Sequence, residues 1–185
     1  VAIWPGTVGG SLAYRAELGE RRQRSIALLA PSVLGALVGS FLLLSTSQRA
    51  FDAIVPFLIY FACLLLALQP RLGRLAAMGG LHVEDVTRTP PLLHIGIFLV
   101  AIYGAYFGAG IGILMLAILG ILAPDTLHHS NAIKGLLALV INFTALVIFA
   151  LRADVAWTPA AIMAVASITG GYLGVRLARK IPAPM

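Results

Sequence analysis

Charged side chains are scarce in this sequence: they make up 11% of 185 residues, while 60% are hydrophobic. A soluble domain is about 25% charged and about half apolar. A soluble fold of this length would have too much surface for so few charges to cover. An ordinary soluble globule is thereby excluded, and the surplus apolar residues need lipid as a second solvent. Acids are scarcer still. All seven (Glu17, Glu20, Asp52, Glu84, Asp85, Asp125 and Asp154) fall in expected loops or at the ends of apolar blocks. None is expected at mid-membrane, where the proton-relay acids of pumps usually sit. Cys63 is the single cysteine, which rules out an intramolecular disulfide. The H-E-x-x-H and G-x-S-x-G patterns are missing as well, so the usual hydrolase constellations have no support. His82, His94, His128 and His129 have no cysteine or carboxylate cluster to complete a metal site, and neighbouring His128 and His129 cannot both face one ion from a regular helix. The chain reads as a non-enzyme without metal or cofactor.

What remains is mostly apolar blocks with basic residues between them. The net charge is +6. In a soluble protein that excess would raise nucleic-acid binding. Here the basic residues lie in short segments between apolar blocks, where positive charge sets membrane orientation. Val1 to Tyr14 is a short apolar block without the basic start or cleavage site of a signal peptide, and reads as the remainder of a span. Ser25 to Leu44 and Phe51 to Leu68 are each long enough to cross as helices, since about 20 residues traverse a ~30 Å hydrocarbon core. A tight turn over Thr46 to Ala50 joins them. Pro70 to Pro90 is the longest loop, with a weakly amphipathic piece near Leu72 to Met78. Pro91 to Leu122 is apolar for longer than one straight crossing requires, and Gly104, Gly108, Gly110 and Gly112 interrupt it. After a short polar link, a helix is predicted from Asn131 to Leu151, with Asp125 or Ser130 as N-cap. A last span follows from Thr158 to Leu177, with Pro159 in a permitted first-turn position.

The halves repeat. Arg15-Ala16-Glu17-Leu18 corresponds to Arg152-Ala153-Asp154-Val155, and each is followed at a similar distance by a G-x-x-x-G pair, Gly35/Gly39 and Gly170/Gly174. Such pairs let helix backbones approach closely, and duplicated halves are a recurrent transporter architecture. The division is a first repeat over 1–69, a linking loop over 70–90 and a second repeat over 91–185. If Pro91 to Leu122 crosses once, Arg15, Arg21, Arg22, Arg24, Arg71, Arg74, Arg88 and Arg152 share one side, which would make the Arg15 to Arg24 loop cytoplasmic. If that segment is re-entrant, every later assignment flips.

Three features could carry chemistry. The first is the glycine run, because each glycine costs about 1 kcal/mol against alanine in a helix, and irregular backbone at membrane depth survives only when buried in protein or lining a cavity. Close helix packing explains it blandly. The functional reading is that the amides of Gly108, Gly110 and Gly112 face an anion. The second is the pair Asn131 and Lys134: either the lysine snorkels to the interface, or it supplies a cation near a helix start that draws an anionic solute. The third is Asn142, further along the same helix, whose amide needs a neighbour or a solute. Trp4, Tyr103 and Tyr106 read more simply as interfacial or packing residues.

Tyr103 to Leu114 (YGAYFGAGIGIL), Ser130 to Ala138 (SNAIKGLLA) and Gly170 to Arg179 (GGYLGVRLAR) together resemble the TauE/SafE family of sulfite and organosulfonate exporters, also called the toluene-sulfonate uptake permease family. Val1 to Gly6 (VAIWPG) resembles the matching part of its first repeat. The resemblance implies an all-α polytopic helical bundle in the plasma membrane of a bacterium. It implies two repeated halves, with about six of eight helices inside this sequence and a first and a last helix outside it. It also implies a permease for small anions bound at the repeat interface, with lipid and an anionic solute as partners, no nucleic acid, and a homo-oligomer as an allowed assembly. Gly35, Gly39, Gly170 and Gly174 would then pack the halves. The alternative is a non-transporting membrane scaffold, which needs no central polar site.

Overall fold

A computed structural model of the chain describes residues 22–78, 89–123 and 125–178. The first apolar block, Glu17 and Glu20, the acids of the long loop and the basic tail lie outside the described residues. Six helices are present among the described residues: α1 Arg22–Ser45, α2 Gln48–Met78, α3 Pro91–Tyr106, α4 Ile111–Leu122, α5 Leu127–Arg152 and α6 Trp157–Ala178. Three segments, Arg22–Ser45, Gln48–Leu68 and His129–Arg152, are long and apolar enough to cross a membrane. The protein is an all-α helical membrane bundle, as the composition requires.

Helix ends follow local chemistry. The turn between α1 and α2 shrinks to Thr46 and Ser47, because the Thr46 amide and hydroxyl both bond back to Leu42. The amphipathic piece near Leu72 to Met78 continues α2 rather than standing alone. α5 begins four residues before the expected Asn131, and its N-cap is Thr126, not Asp125 or Ser130. Thr126 has extended backbone, and its side chain accepts the His129 amide hydrogen, as an N-cap hydroxyl should. α3 opens with proline at its first turn, where the missing N–H costs nothing.

The segment from Pro91 to Leu122 is a hairpin. A Cβ built on Gly96 would lie 3.1 Å from Ile118 Cγ2, and one on Gly104 would strike Ile111 Cδ1. Residues near the start of α3 therefore face the end of α4, and the two helices run antiparallel. The glycines cause this reversal. Gly108 and Gly110 hold φ of 84° and 75°, values that glycine alone adopts freely, and two such residues so close together cannot continue a right-handed helix. The legs are 16 and 12 residues long, about 24 and 18 Å at 1.5 Å per residue. Each is shorter than the ~30 Å hydrocarbon core. The chain thus enters and leaves the hairpin at the same end of the bundle, here termed the base, and the single-crossing expectation gives way to the re-entrant one.

α1 runs parallel to α3. A Cβ on Gly35 would meet the Phe98 carbonyl oxygen and Ala101 Cβ, and one on Gly39 would meet the Ile102 carbonyl oxygen and Ala105 Cβ. α1 also packs along α5, and α2 along α4. The core lies where α1, α3, α4 and α5 meet, around the fully enclosed Leu28, Ile97, Met115, Leu137 and Ile141. α2 and α6 are different. Phe57 and Tyr60 of α2 are 77% and 82% exposed, and Ile162, Met163 and Val165 of α6 are exposed too. Apolar surface on this scale is what a lipid-facing helix presents.

Candidate functional site

The hairpin tip comes first. Phe107 and Gly108 amides both donate to the Tyr103 carbonyl, ending α3. The Tyr103 hydroxyl donates to the Ala109 carbonyl at 2.7 Å, which closes the tip on itself. Its ring meets Phe61 edge-on at 5.6 Å and Phe107 at 6.2 Å, an aromatic clasp against α2. Tyr106 reaches the top of α1, with its hydroxyl 3.3 Å from Thr46 Oγ1 and its ring 6.3 Å from Phe51.

Gly110 then caps α4 in the left-handed conformation. The Ile113 and Leu114 amides bond to the Gly110 carbonyl, whereas those of Ile111 and Gly112 have no backbone acceptor among the described residues. They are the free N–H groups that any helix start presents, and they carry the positive end of the helix dipole.

The structure brings Gly112, Asn131 and Lys134 together. A Cβ on Gly112 would sit 3.6 Å from Lys134 Cδ, so the lysine stem runs past the glycine where α4 meets α5. Lys134 Nζ donates to Asn131 Oδ1 at 2.8 Å. Because α5 starts at Leu127, Lys134 lies about two turns inside the helix and not at its start. Gly110 instead faces α2, 3.7 Å from Leu65 Cδ1, and Gly108 meets the carbonyl of Gly104. Asn142 sits two turns beyond Lys134, and its Nδ2 donates to the Ala138 carbonyl of its own helix. Of the packing glycines, Gly35 and Gly39 hold α1 on α3, while among the described residues no atom lies within 4 Å of a Cβ built on Gly170. The surroundings of Gly174 lie outside the described residues.

One polar cluster was not anticipated from sequence. At the base, Arg24 Nη1 lies 3.4 Å from the Ala123 carbonyl and 3.5 Å from Asp125 Oδ2. The side chains of Arg24 and Asp125 are 2% and 4% exposed. Asp125 Oδ1 accepts the Thr126 amide and lies 3.0 Å from His129 Nδ1, which also sits 2.8 Å from Thr126 Oγ1. By sequence alone, Asp125 reads as a span-end residue or a helix cap. The clue in the sequence was slight: an arginine heads one apolar block and an acid heads another. No periodicity links residues about a hundred positions apart. Among the described residues no group of three or more His, Cys, Asp or Glu side chains could hold a metal ion.

A family model described as "Sulfite exporter TauE/SafE" matches residues 1–185. No curated protein and no solved structure matches the chain.

Proposed function

The chain belongs to the sulfite exporter TauE/SafE family, a family of membrane permeases and exporters, and from that premise we propose that it moves a small anion such as sulfite or an organosulfonate across a bacterial plasma membrane. The solute binds where the hairpin meets α5. Lys134 supplies its counter-charge, Asn131 holds the ammonium in place, and the free amides of Ile111 and Gly112 contribute oriented donors. Gly108 and Gly110 shape the tip above this contact, and Asn142 adds a polar group further along α5.

The observation that supports this most is the state of Lys134. It is half-buried in an apolar bundle, its stem lies against Gly112, and its ammonium bonds to a neutral amide. Among the described residues no carboxylate pairs with it. An ionisable side chain held inside a membrane bundle faces a cavity or a partner, and an uncompensated ammonium beside a helix start favours an anion. Hydrogen-bond donors with a fixed positive charge suit sulfite and sulfonate oxygens.

Flux of labelled sulfite and small sulfonates in proteoliposomes tests the reading. Lys134→Ala should lower saturable flux by about tenfold or more, the equivalent of about 1.4 kcal/mol, with membrane insertion intact. Lys134→Arg, which keeps the charge, should retain part of it. Undiminished flux in Lys134→Ala would remove the lysine from the site. A scaffold without a polar site predicts no flux from any variant, wild type included.

A further inference from the structure

α2 carries two apolar stripes on opposite faces, and the described helices fill one of them. Val55, Leu58, Ala62 and Leu65 recur at three- and four-residue steps, the spacing that lines up one helical face. This stripe packs on the hairpin. α2 runs along α4, Ala62 and Leu65 are buried, and a Cβ on Gly110 would lie 3.7 Å from Leu65 Cδ1. Ala53, Phe57, Tyr60, Leu64 and Ala67 form a second stripe with the same steps, on the far side of the helix at 3.6 residues per turn. All five are exposed, and α2 has no other extended neighbour among the described helices. Lipid accounts for four of these side chains but not for Tyr60. The nearest charged or amide residues along α2 are Asp52 and Gln69, 8 and 9 residues away, which is about 12 Å or more at 1.5 Å per residue. Tyr60 thus stands near the middle of the span, where neither water nor headgroups satisfy a polar group, and not at the interface where tyrosine usually sits. The hydroxyls of Tyr103 and Tyr106 both have partners. Tyr60 is 82% exposed and makes no hydrogen bond among the described residues.

We propose that the stripe from Ala53 to Ala67 is the seam of a homodimer, in which two copies of α2 lie side by side and Tyr60 meets Tyr60 of the partner subunit. Two copies inserted the same way are related by a two-fold axis along the membrane normal, so their α2 helices run parallel and each seam position meets itself. That geometry needs a self-complementary polar group. A phenolic hydroxyl both donates and accepts, so one tyrosine satisfies its own copy, as a lysine or a carboxylate would not. Alternating four- and three-residue steps are the pattern of interlocking parallel helices. Ala53 and Ala67, at the ends of the seam, are small enough to let the two backbones approach. The proposal depends on the helical membrane bundle and not on the role of Lys134.

The test uses the full chain with Cys63→Ser in proteoliposomes. Leu64→Cys and Leu66→Cys are matched reporters, since the two leucines are 53% and 56% exposed but only Leu64 lies on the seam. Oxidation with copper phenanthroline should turn Leu64→Cys into a disulfide-linked dimer and leave Leu66→Cys monomeric. Equal cross-linking at the two positions would mean random collision in the bilayer and overturns the seam. The second measurement is energy transfer between donor- and acceptor-labelled copies, each labelled at Ser47→Cys, as added lipid dilutes them. Tyr60→Phe should raise the dissociation constant about threefold or more, the scale of one hydrogen bond inside a membrane. The substitution disturbs no described hydrogen bond within one copy, so a tyrosine that merely faces lipid predicts the wild-type curve. That curve in Tyr60→Phe overturns the proposal, as does a wild type without energy transfer at any dilution. Neither readout involves an anion. Flux without dimers would therefore remove the seam and keep the permease reading, and dimers without flux for any anion would do the reverse.

Discussion

At the residue scale, the glycines separate into those that make room and those that make a turn. Gly35 and Gly39 belong to the first kind. Each lies so close to α3 that a methyl group would overlap a backbone carbonyl, and a carbonyl in a helix cannot swing aside as a side chain can. Gly39→Val should therefore destabilise the protein by about 1–3 kcal/mol, the usual cost of overpacking, read as a lower melting temperature in detergent. Gly170→Ala should melt with the wild type, since a methyl group there meets no atom of the described residues within 4 Å. Equal melting temperatures for the two variants would contradict the close packing of α1 on α3. The sequence made Gly35/Gly39 visible through their four-residue spacing, which places both on one helical face. It could not show that α3 is the partner, because spacing describes the helix that carries the glycines and not the surface it meets. Lys134 and Asn131 were visible as rare polar residues in an apolar run. Their bond to each other follows from their three-residue separation on one helix, whereas the approach of Gly112 depends on how α4 packs.

At the scale of the element, the hairpin decides the character of the bundle. Its legs are apolar apart from His94 near the start of the first, so hydropathy alone reads them as one long block. Four glycines announced an interruption. Whether the chain bends, breaks or reverses there is set by the φ values at Gly108 and Gly110 and by the packing of Ile118 on Gly96. Substitution at the tip should accordingly act on the turn. Gly108→Ala and Gly110→Ala each place a Cβ in the left-handed region at about 1–2 kcal/mol, and together they should loosen the tip enough to raise its hydrogen-exchange rate. Tyr103→Phe, which removes the bond to the Ala109 carbonyl, should move exchange in the same direction by a smaller amount. Unchanged exchange at residues 107–110 in the double glycine variant would mean that the tip is held by the aromatic clasp and not by its backbone.

For the whole molecule, the hairpin fixes which charges share a side. α1 starts at the base with Arg22 and Arg24; in the chain, Arg15 and Arg21 come shortly before them, and Arg88 comes two residues before Pro90. The far end of the bundle has Arg49 and Arg152. The positive-inside rule predicts that the base faces the cytoplasm. With Cys63→Ser as background, a cysteine at Ser47 should react with an impermeant thiol reagent applied to intact cells, and one at Gln23 should react only after permeabilisation. The reverse pattern would invert the molecule. The helical membrane class was legible in composition because lipid imposes so coarse a demand, namely apolar segments of spanning length. The parallel course of α1, α3 and α5 was not legible, since it rests on a reversal that parity counting over hydropathy blocks cannot detect.

That reversal reaches back to how the chain is made. An insertion machinery that meets Pro91 to Leu122 encounters one apolar stretch and must commit it either to a single passage or to a return. With a single passage, everything from Asp125 onward would emerge on the opposite face, and Arg24 could never meet its acid. Two glycines at the tip thus set the direction in which the helices after Leu122 cross, and the Arg24–Asp125 contact is compatible only with the return.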